Sequence, residues 1–177
     1  MKALFIIAPE NFRDEEYKIP LDYFKINNIK VDTASTRKGL CKGKLGMDVN
    51  VNISLDEINV KDYDIVVFVG GPGTPIVRKD SNAIRIAKEA FDNKKIIAAI
   101  CWAPTILAKA GILKNRKATV WQGNDSEYGM LTSEYLEKQG AYYTGEPVTK
   151  DDNIITADGP LSALEFAKKI IDATSYT

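Results

Sequence analysis

The sequence predicts an α/β fold of the flavodoxin-like, doubly wound kind, a mostly parallel sheet with helices on both faces. Residues 3–8, 65–69 and 96–100 are continuous apolar runs rich in β-branched side chains and bounded by turn signals, as strands buried on both faces should be. A helical pattern follows each run: Tyr17, Leu21 and Phe24 after the first, Ile84, Ala87 and Phe91 after the second, Ile106, Leu107 and Ala110 after the third. Each set recurs at three- or four-residue spacing. Strand and helix alternate with no internal repeat, linker or low-complexity tract to interrupt them.

The remaining elements fit the same scheme. Residues 30–34 read as a second strand, and residues 39–48, with three glycines among alternating residues, as a hairpin or excursion at a sheet edge. Residues 118–121 and 153–157 read as further short strands. The last feeds a helix that opens on Pro160, suited to a first helical turn, and carries Leu164, Ala167, Ile170 and Ile171. At 177 residues the chain can bury about 70% of its unfolded surface, so one domain over residues 1–177 suffices.

Composition narrows the function. Lys+Arg 24 balance Asp+Glu 24, which leaves no excess charge for nucleic acid or a membrane surface to exploit. The opening apolar run is too short for a signal segment or a membrane span and reads as the first strand. Two cysteines, Cys41 and Cys101, suit a reduced thiol protein of the cytoplasm, although one disulfide fits the same count. The chain has no histidine, which removes Ser-His-Asp triads, the usual Cys-His pair and histidine-ligated zinc. Any base must be a carboxylate, a lysine, a tyrosine or a group on a partner, and no metal or cofactor is expected.

In a doubly wound sheet, ligands bind where loops converge at the carboxyl ends of the central strands. That rule selects residues 9–16, the Gly70-Gly71-Pro72-Gly73 segment and Cys101. The apolar strand that ends at Cys101 turns almost at once into Trp102, Ala103 and Pro104, so the cysteine occupies a tight, strained turn like a nucleophile elbow. The following helix's amino terminus would favour thiolate. The alternative is an inert cysteine filling a small core site.

Glu16 is the second candidate. Pro20, four residues on within a helical pattern, crowds the carbonyl of residue 16 and deletes a helix bond, and such violations cluster at functional sites. A carboxyl held in an apolar crevice beside Cys101 could stay protonated, hydrogen-bond the sulfur and shuttle a proton. A solvated first-turn acid is the other reading, and it describes Glu15 well. Gly70 and Gly71 can present amides as an oxyanion hole, or form a plain turn. A phosphate loop fits poorly, because the Lys-Ser/Thr ending is missing and Pro72 and Pro75 delete two amides. Cys41, among Gly39, Lys42 and Gly43, is read as structural, although nearby lysines could lower its pKa. Trp102, Trp121, Tyr142 and Tyr143 are assigned to core or interface packing rather than to a cofactor.

Ala98-Ala99-Ile100-Cys101, then Pro104 and the stretch from Ala110 to Lys117, resemble the nucleophile region of the ThiJ/PfpI superfamily, which includes the parkinsonism-associated deglycase branch and the PfpI intracellular proteases. Glu16 with Pro20, Val69-Gly70-Gly71, and Asp158-Gly159-Pro160 with residues 164–167 extend the resemblance over almost the whole chain. It implies a class I glutamine amidotransferase-like domain and a homodimer or higher homo-oligomer. It also implies a reactive Cys101, Glu16 as its hydrogen-bonding acid, and Gly70 and Gly71 as oxyanion donors; Trp102, next to the cysteine, is a further candidate binding residue.

The departures are specific. PfpI-type peptidases carry histidine directly after the cysteine, where this chain has Trp102, and the glutamate they borrow from a neighbouring subunit aligns with Pro75. The deglycase branch has a histidine in the segment aligning with Trp121, and Asp158 stands where arginine is common. The favoured expectation is glyoxalase or deglycase chemistry on a small carbonyl substrate. The alternatives are a peptidase or other amide hydrolase, a non-enzymatic redox sensor or chaperone acting through Cys101 oxidation, and an interaction module whose pocket Trp102 has closed.

Overall fold

The computed structural model describes residues 1–175. The first half of the chain supplies β1 (Lys2–Ile6), β2 (Glu10–Phe12), α1 (Asp14–Ile26), β3 (Lys30–Ser35), β4 (Gly39–Gly43), β5 (Asp48–Val51), β6 (Ile53–Ser54), β7 (Ile65–Phe68), α2 (Thr74–Lys79) and α3 (Ser81–Asp92). The second half supplies β8 (Ile96–Ile100), α4 (Pro104–Lys109), β9 (Lys117–Ala118), β10 (Asn124–Asp125), β11 (Met130–Leu131), α5 (Thr132–Lys138), β12 (Tyr142–Tyr143), β13 (Val148–Asp151), β14 (Ile154–Ala157) and α6 (Ala163–Thr174).

Seven strands form the main sheet in the order β13-β14-β8-β7-β1-β3-β6, all parallel except the β13–β14 pair. All five residues of β8 and all four of β7 are buried. Successive side chains of a strand point to opposite faces, so helices must cover both. α1 packs on α6, while α2, α3 and α4 form a second group. The doubly wound, mostly parallel α/β fold read from the sequence is therefore the observed one.

The differences are local. The stretch expected as a strand over 118–121 keeps only Lys117–Ala118, paired with β12 rather than with the main sheet. The expected hairpin is present as β4 and β5, but it joins β2 in a separate three-stranded sheet instead of extending the main one. Asp14 holds it in place: its buried carboxylate accepts the amides of Leu45 (2.8 Å) and Met47 (2.7 Å), tying the hairpin turn to the start of α1. At the last helix a 3-10 turn, Pro160–Ser162, precedes α6. Leu164, expected in the core, is exposed, and Phe166 takes the buried place.

α1 continues through Pro20. The ring is buried, and packing of Tyr17 and Phe24 on Phe5 holds the helix together despite the missing bond to the carbonyl of Glu16.

Candidate active site

Two loops at the carboxyl edge of the sheet are zipped together before any side chain is considered. The amide of Arg13 donates to the carbonyl of Gly70 (2.9 Å), and the amide of Gly73 donates to that of Asn11 (3.0 Å). Gly71 adopts φ +108°, and a Cβ there would strike the Arg13 amide and the Asn11 carbonyl. This close backbone crossing holds α1 against the end of β7 and brings Glu16 over it.

Cys101 follows β8 directly, with φ 62°. A side chain in that left-handed region carries strain of about 1–3 kcal/mol, which surrounding structure must hold. The cysteine amide donates to the carbonyl of Ala157 at the end of β14 (2.8 Å) and its carbonyl accepts from the Trp121 amide (2.8 Å), so a flanking strand and the segment after β9 pin both sides of the turn. The nucleophile-elbow geometry expected of Cys101 is present, and 8% of the residue remains exposed.

Glu16 is fully buried beside it. A Cβ built on Gly70 would lie 2.7 Å from Cys101 Cβ and 2.7 Å from Glu16 Oε2, so the glycine leaves the space the acid and thiol share. Neither carboxyl oxygen makes a well-formed hydrogen bond among the described residues, and its polar neighbours are the Cys101 thiol and the Gly70 amide. Burial pushes the Glu16 carboxyl up to about 8, against the pull of the thiol, the Arg13 guanidinium and that amide. The alternative of a solvated first-turn acid is thus excluded for Glu16, while Glu15 is the solvated partner of Arg13.

The thiol differs from expectation. Burial first, and the charge of Glu16 second, push the Cys101 thiol up, while the amides of Gly71 and Trp102 favour thiolate. α4 has six residues and begins only at Pro104, so it contributes little of the expected helix-end field. The repulsion from Glu16 acts only while that acid is ionised, so the two groups titrate as one unit.

The two glycines divide the work that the sequence assigned to them jointly. The Gly71 amide pulls the Cys101 thiol down and the Gly70 amide pulls the Glu16 carboxyl down, each against the larger effect of burial. Replacing Gly70 by Ala is expected to force thiol and carboxyl apart, lowering Cys101 alkylation at pH 8 at least about tenfold, as measured by intact-mass kinetics. Cys41 is fully buried, and burial pushes its thiol up rather than the lysines lowering it.

Trp102 is half-buried and packs against the core. Its indole Nε1 donates to Asp125 Oδ2 (2.9 Å), and its ring lies 5.3 Å from that of Trp121. Asp125 and its partner Arg78 have fully buried side chains, with Arg78 Nη1 on Oδ2 (2.5 Å) and Nη2 on Oδ1 (3.2 Å). Burial raises the Asp125 carboxyl, but hydrogen bonds from Arg78 and Trp102 outweigh it and hold the acid below the usual carboxylate range. Sequence reasoning missed this cluster.

A surface recess of about 650 Å³, lined by Phe91, Ile96, Arg116, Lys150 and Asn153 among others, lies at the amino end of β8, the far end from Cys101. No group of three or more His, Cys, Asp or Glu residues among those described is placed to hold a metal ion. No helix among them is long and apolar enough to cross a membrane.

A doubly wound sheet with a strained cysteine at the end of β8 and a buried acid from α1 beside it defines a class of α/β proteins with an elbow thiol. The DJ-1/PfpI family profile matches residues 1–173, and the chain belongs to that family. The deglycase PH1704 of Pyrococcus horikoshii is 37% identical over 171 residues, covering 97% of this chain and 98% of its own. The deglycase PfpI of Pyrococcus furiosus is 40% identical over 139 residues, 78% of this chain and 83% of its own. Among solved structures, a ThiJ/PfpI domain protein from Brachyspira murdochii superposes with a TM-score of 0.91 at 31% identity, covering 99% of this chain and 97% of its own.

Proposed function

We propose that this chain is a cysteine-dependent enzyme acting on reactive carbonyls, of glyoxalase or deglycase type, with Cys101 as nucleophile and Glu16 as proton carrier. One observation carries the reading: a strained, barely exposed thiol shares its space with a fully buried carboxyl that has no better-formed partner. The relatives named deglycases, at 37% and 40% identity, support it.

An ionised Glu16 takes the thiol proton, and the sulfur electron pair forms a C–S bond to an aldehyde carbon while the π pair moves onto oxygen. Glu16 returns the proton to that oxygen, giving a thiohemiacetal. The Gly71 and Trp102 amides steady the negative charge as it passes from sulfur.

With a 2-oxoaldehyde the same carboxylate can then remove the C–H proton of the thiohemiacetal carbon, and the neighbouring ketone oxygen takes up a proton as an enediol forms. Reprotonation at the former ketone carbon, with loss of the hydroxyl proton on the sulfur-bearing carbon, leaves a thioester. Water cleaves its C–S bond, the sulfur regains a proton, and a 2-hydroxy acid departs. The sum is addition of one water, with no oxidant and no histidine. Every group used lies on one chain.

Purified protein is expected to consume methylglyoxal, and Cys101→Ala to lower that rate at least about 100-fold, followed by loss of the dicarbonyl and appearance of lactate. Unchanged consumption by the variant would sink the proposal.

A further inference from the structure

We propose that Arg78 is a positioning residue for the cysteine elbow, holding Trp102 at both its indole and its carbonyl so that the Trp102 amide stays aimed at the Cys101 sulfur. The contacts form a closed ring. Through one arm, Arg78 grips Asp125, and Asp125 Oδ2 accepts the indole N–H of Trp102 at 2.9 Å. Through the other, Arg78 Nη1 donates to Thr105 Oγ1 (3.0 Å), and that hydroxyl donates to the carbonyl of Trp102 (2.8 Å).

The helix that carries Arg78 also meets Gly71. Arg78 sits on α2, whose first residue, Thr74, donates its amide (3.0 Å) and its hydroxyl (2.8 Å) to the carbonyl of Gly71. The guanidinium thus braces Trp102, and the helix that carries it also anchors the Gly71 carbonyl through Thr74.

A mere packing role does not explain the chemistry present. Arg78 is fully buried, its Nε has no partner among the described residues, and Glu127 Oε2 adds a second carboxylate at 2.6 Å. The Tyr128 ring lies 4.3 Å from the guanidinium carbon, and the Tyr135 ring stacks on Tyr128 at 4.1 Å. Burying this much charge is costly, and a planar five-donor group is the side chain that can hold two acceptors in fixed directions. A left-handed cysteine followed by a residue that can rotate would lose the alignment of its neighbour's amide.

The inference rests on Cys101 being the reactive group but not on any carbonyl activity, so its test reads alkylation. Iodoacetamide modification of Cys101 is followed by intact mass from pH 6 to 10 in parent, Trp102→Phe, Thr105→Val and Thr105→Ser chains. Trp102→Phe keeps a ring and removes the indole donor, whereas Thr105→Val keeps shape and removes the hydroxyl.

Both are expected to move the alkylation midpoint up by at least about half a unit, a roughly threefold loss of reactive thiolate below the midpoint. Thr105→Ser, which restores the hydroxyl, should return the parent profile. Superposition of the Thr105→Val and parent curves overturns the proposal, as does a Thr105→Ser curve displaced as far as that of Thr105→Val. If Trp102→Phe fails to fold, the Thr105 pair alone decides.

Discussion

Glu16→Gln is expected to yield a chain nearly inactive toward carbonyls yet harder to unfold at alkaline pH than the parent. The two effects share one cause. The carboxyl is fully buried, and burial holds it protonated to about 8, whereas in the unfolded chain it ionises near 4.5. Between those values the native state binds a proton that the unfolded state has released, so stability falls as pH rises through this window. The stabilisation present below pH 4.5 is lost by pH 8, a change on the order of 3–5 kcal/mol for a group this enclosed.

Glutamine fills the same space without ionising. Urea unfolding at pH 5 and at pH 8.5 should show a steep loss for the parent and little for the variant, while methylglyoxal turnover falls about 100-fold or more. Equal pH slopes in the two proteins would mean that Glu16 is not the buried acid responsible.

Asp125→Ala carries the second large effect. It leaves the Arg78 guanidinium buried with only Glu127, itself partly exposed, to balance it. Removing one member of a buried ion pair typically destabilises by about 3–5 kcal/mol, and the indole donor of Trp102 loses its acceptor as well. The urea midpoint should drop accordingly. A double change, Arg78→Met with Asp125→Leu, removes both charges and should recover most of the loss. A loss under about 1 kcal/mol in Asp125→Ala would show that water or Glu127 already satisfies the arginine.

The sequence carries the architecture because each buried strand is a local pattern: β7 and β8 are apolar runs that no solvent-facing strand would have. Cys101 and Glu16 were legible for a similar reason. One ends such a run without a connecting loop, and the other sits four residues before a helical proline, so each breaks a local rule that tertiary structure must justify.

What stayed hidden is tertiary in origin. Arg78 and Asp125 are of residue types usually found on the surface, they lie 47 positions apart, and only the fold encloses them together. The Cys101 thiol is pushed up rather than down because burial outweighs the neighbouring amides, and a helix-end field can be read from sequence order while the depth of burial cannot. The stretch expected as a strand over 118–121 broke off early because Trp121 is recruited to the carbonyl of Cys101 instead of continuing a ladder. The separate duties of Gly70 and Gly71 depend on which amide turns toward which acid. Both glycines looked alike in the chain.

The most direct test of a proton shared between Cys101 and Glu16 is the pH dependence of Cys101 alkylation in the parent chain and in Glu16→Gln. A coupled pair should give a rate that climbs about tenfold per pH unit to a bend near 8, the region to which the buried carboxyl is pushed, with the bend abolished or moved upward in the glutamine variant. Identical curves for the two proteins, or a parent curve with no bend below pH 9, would contradict it.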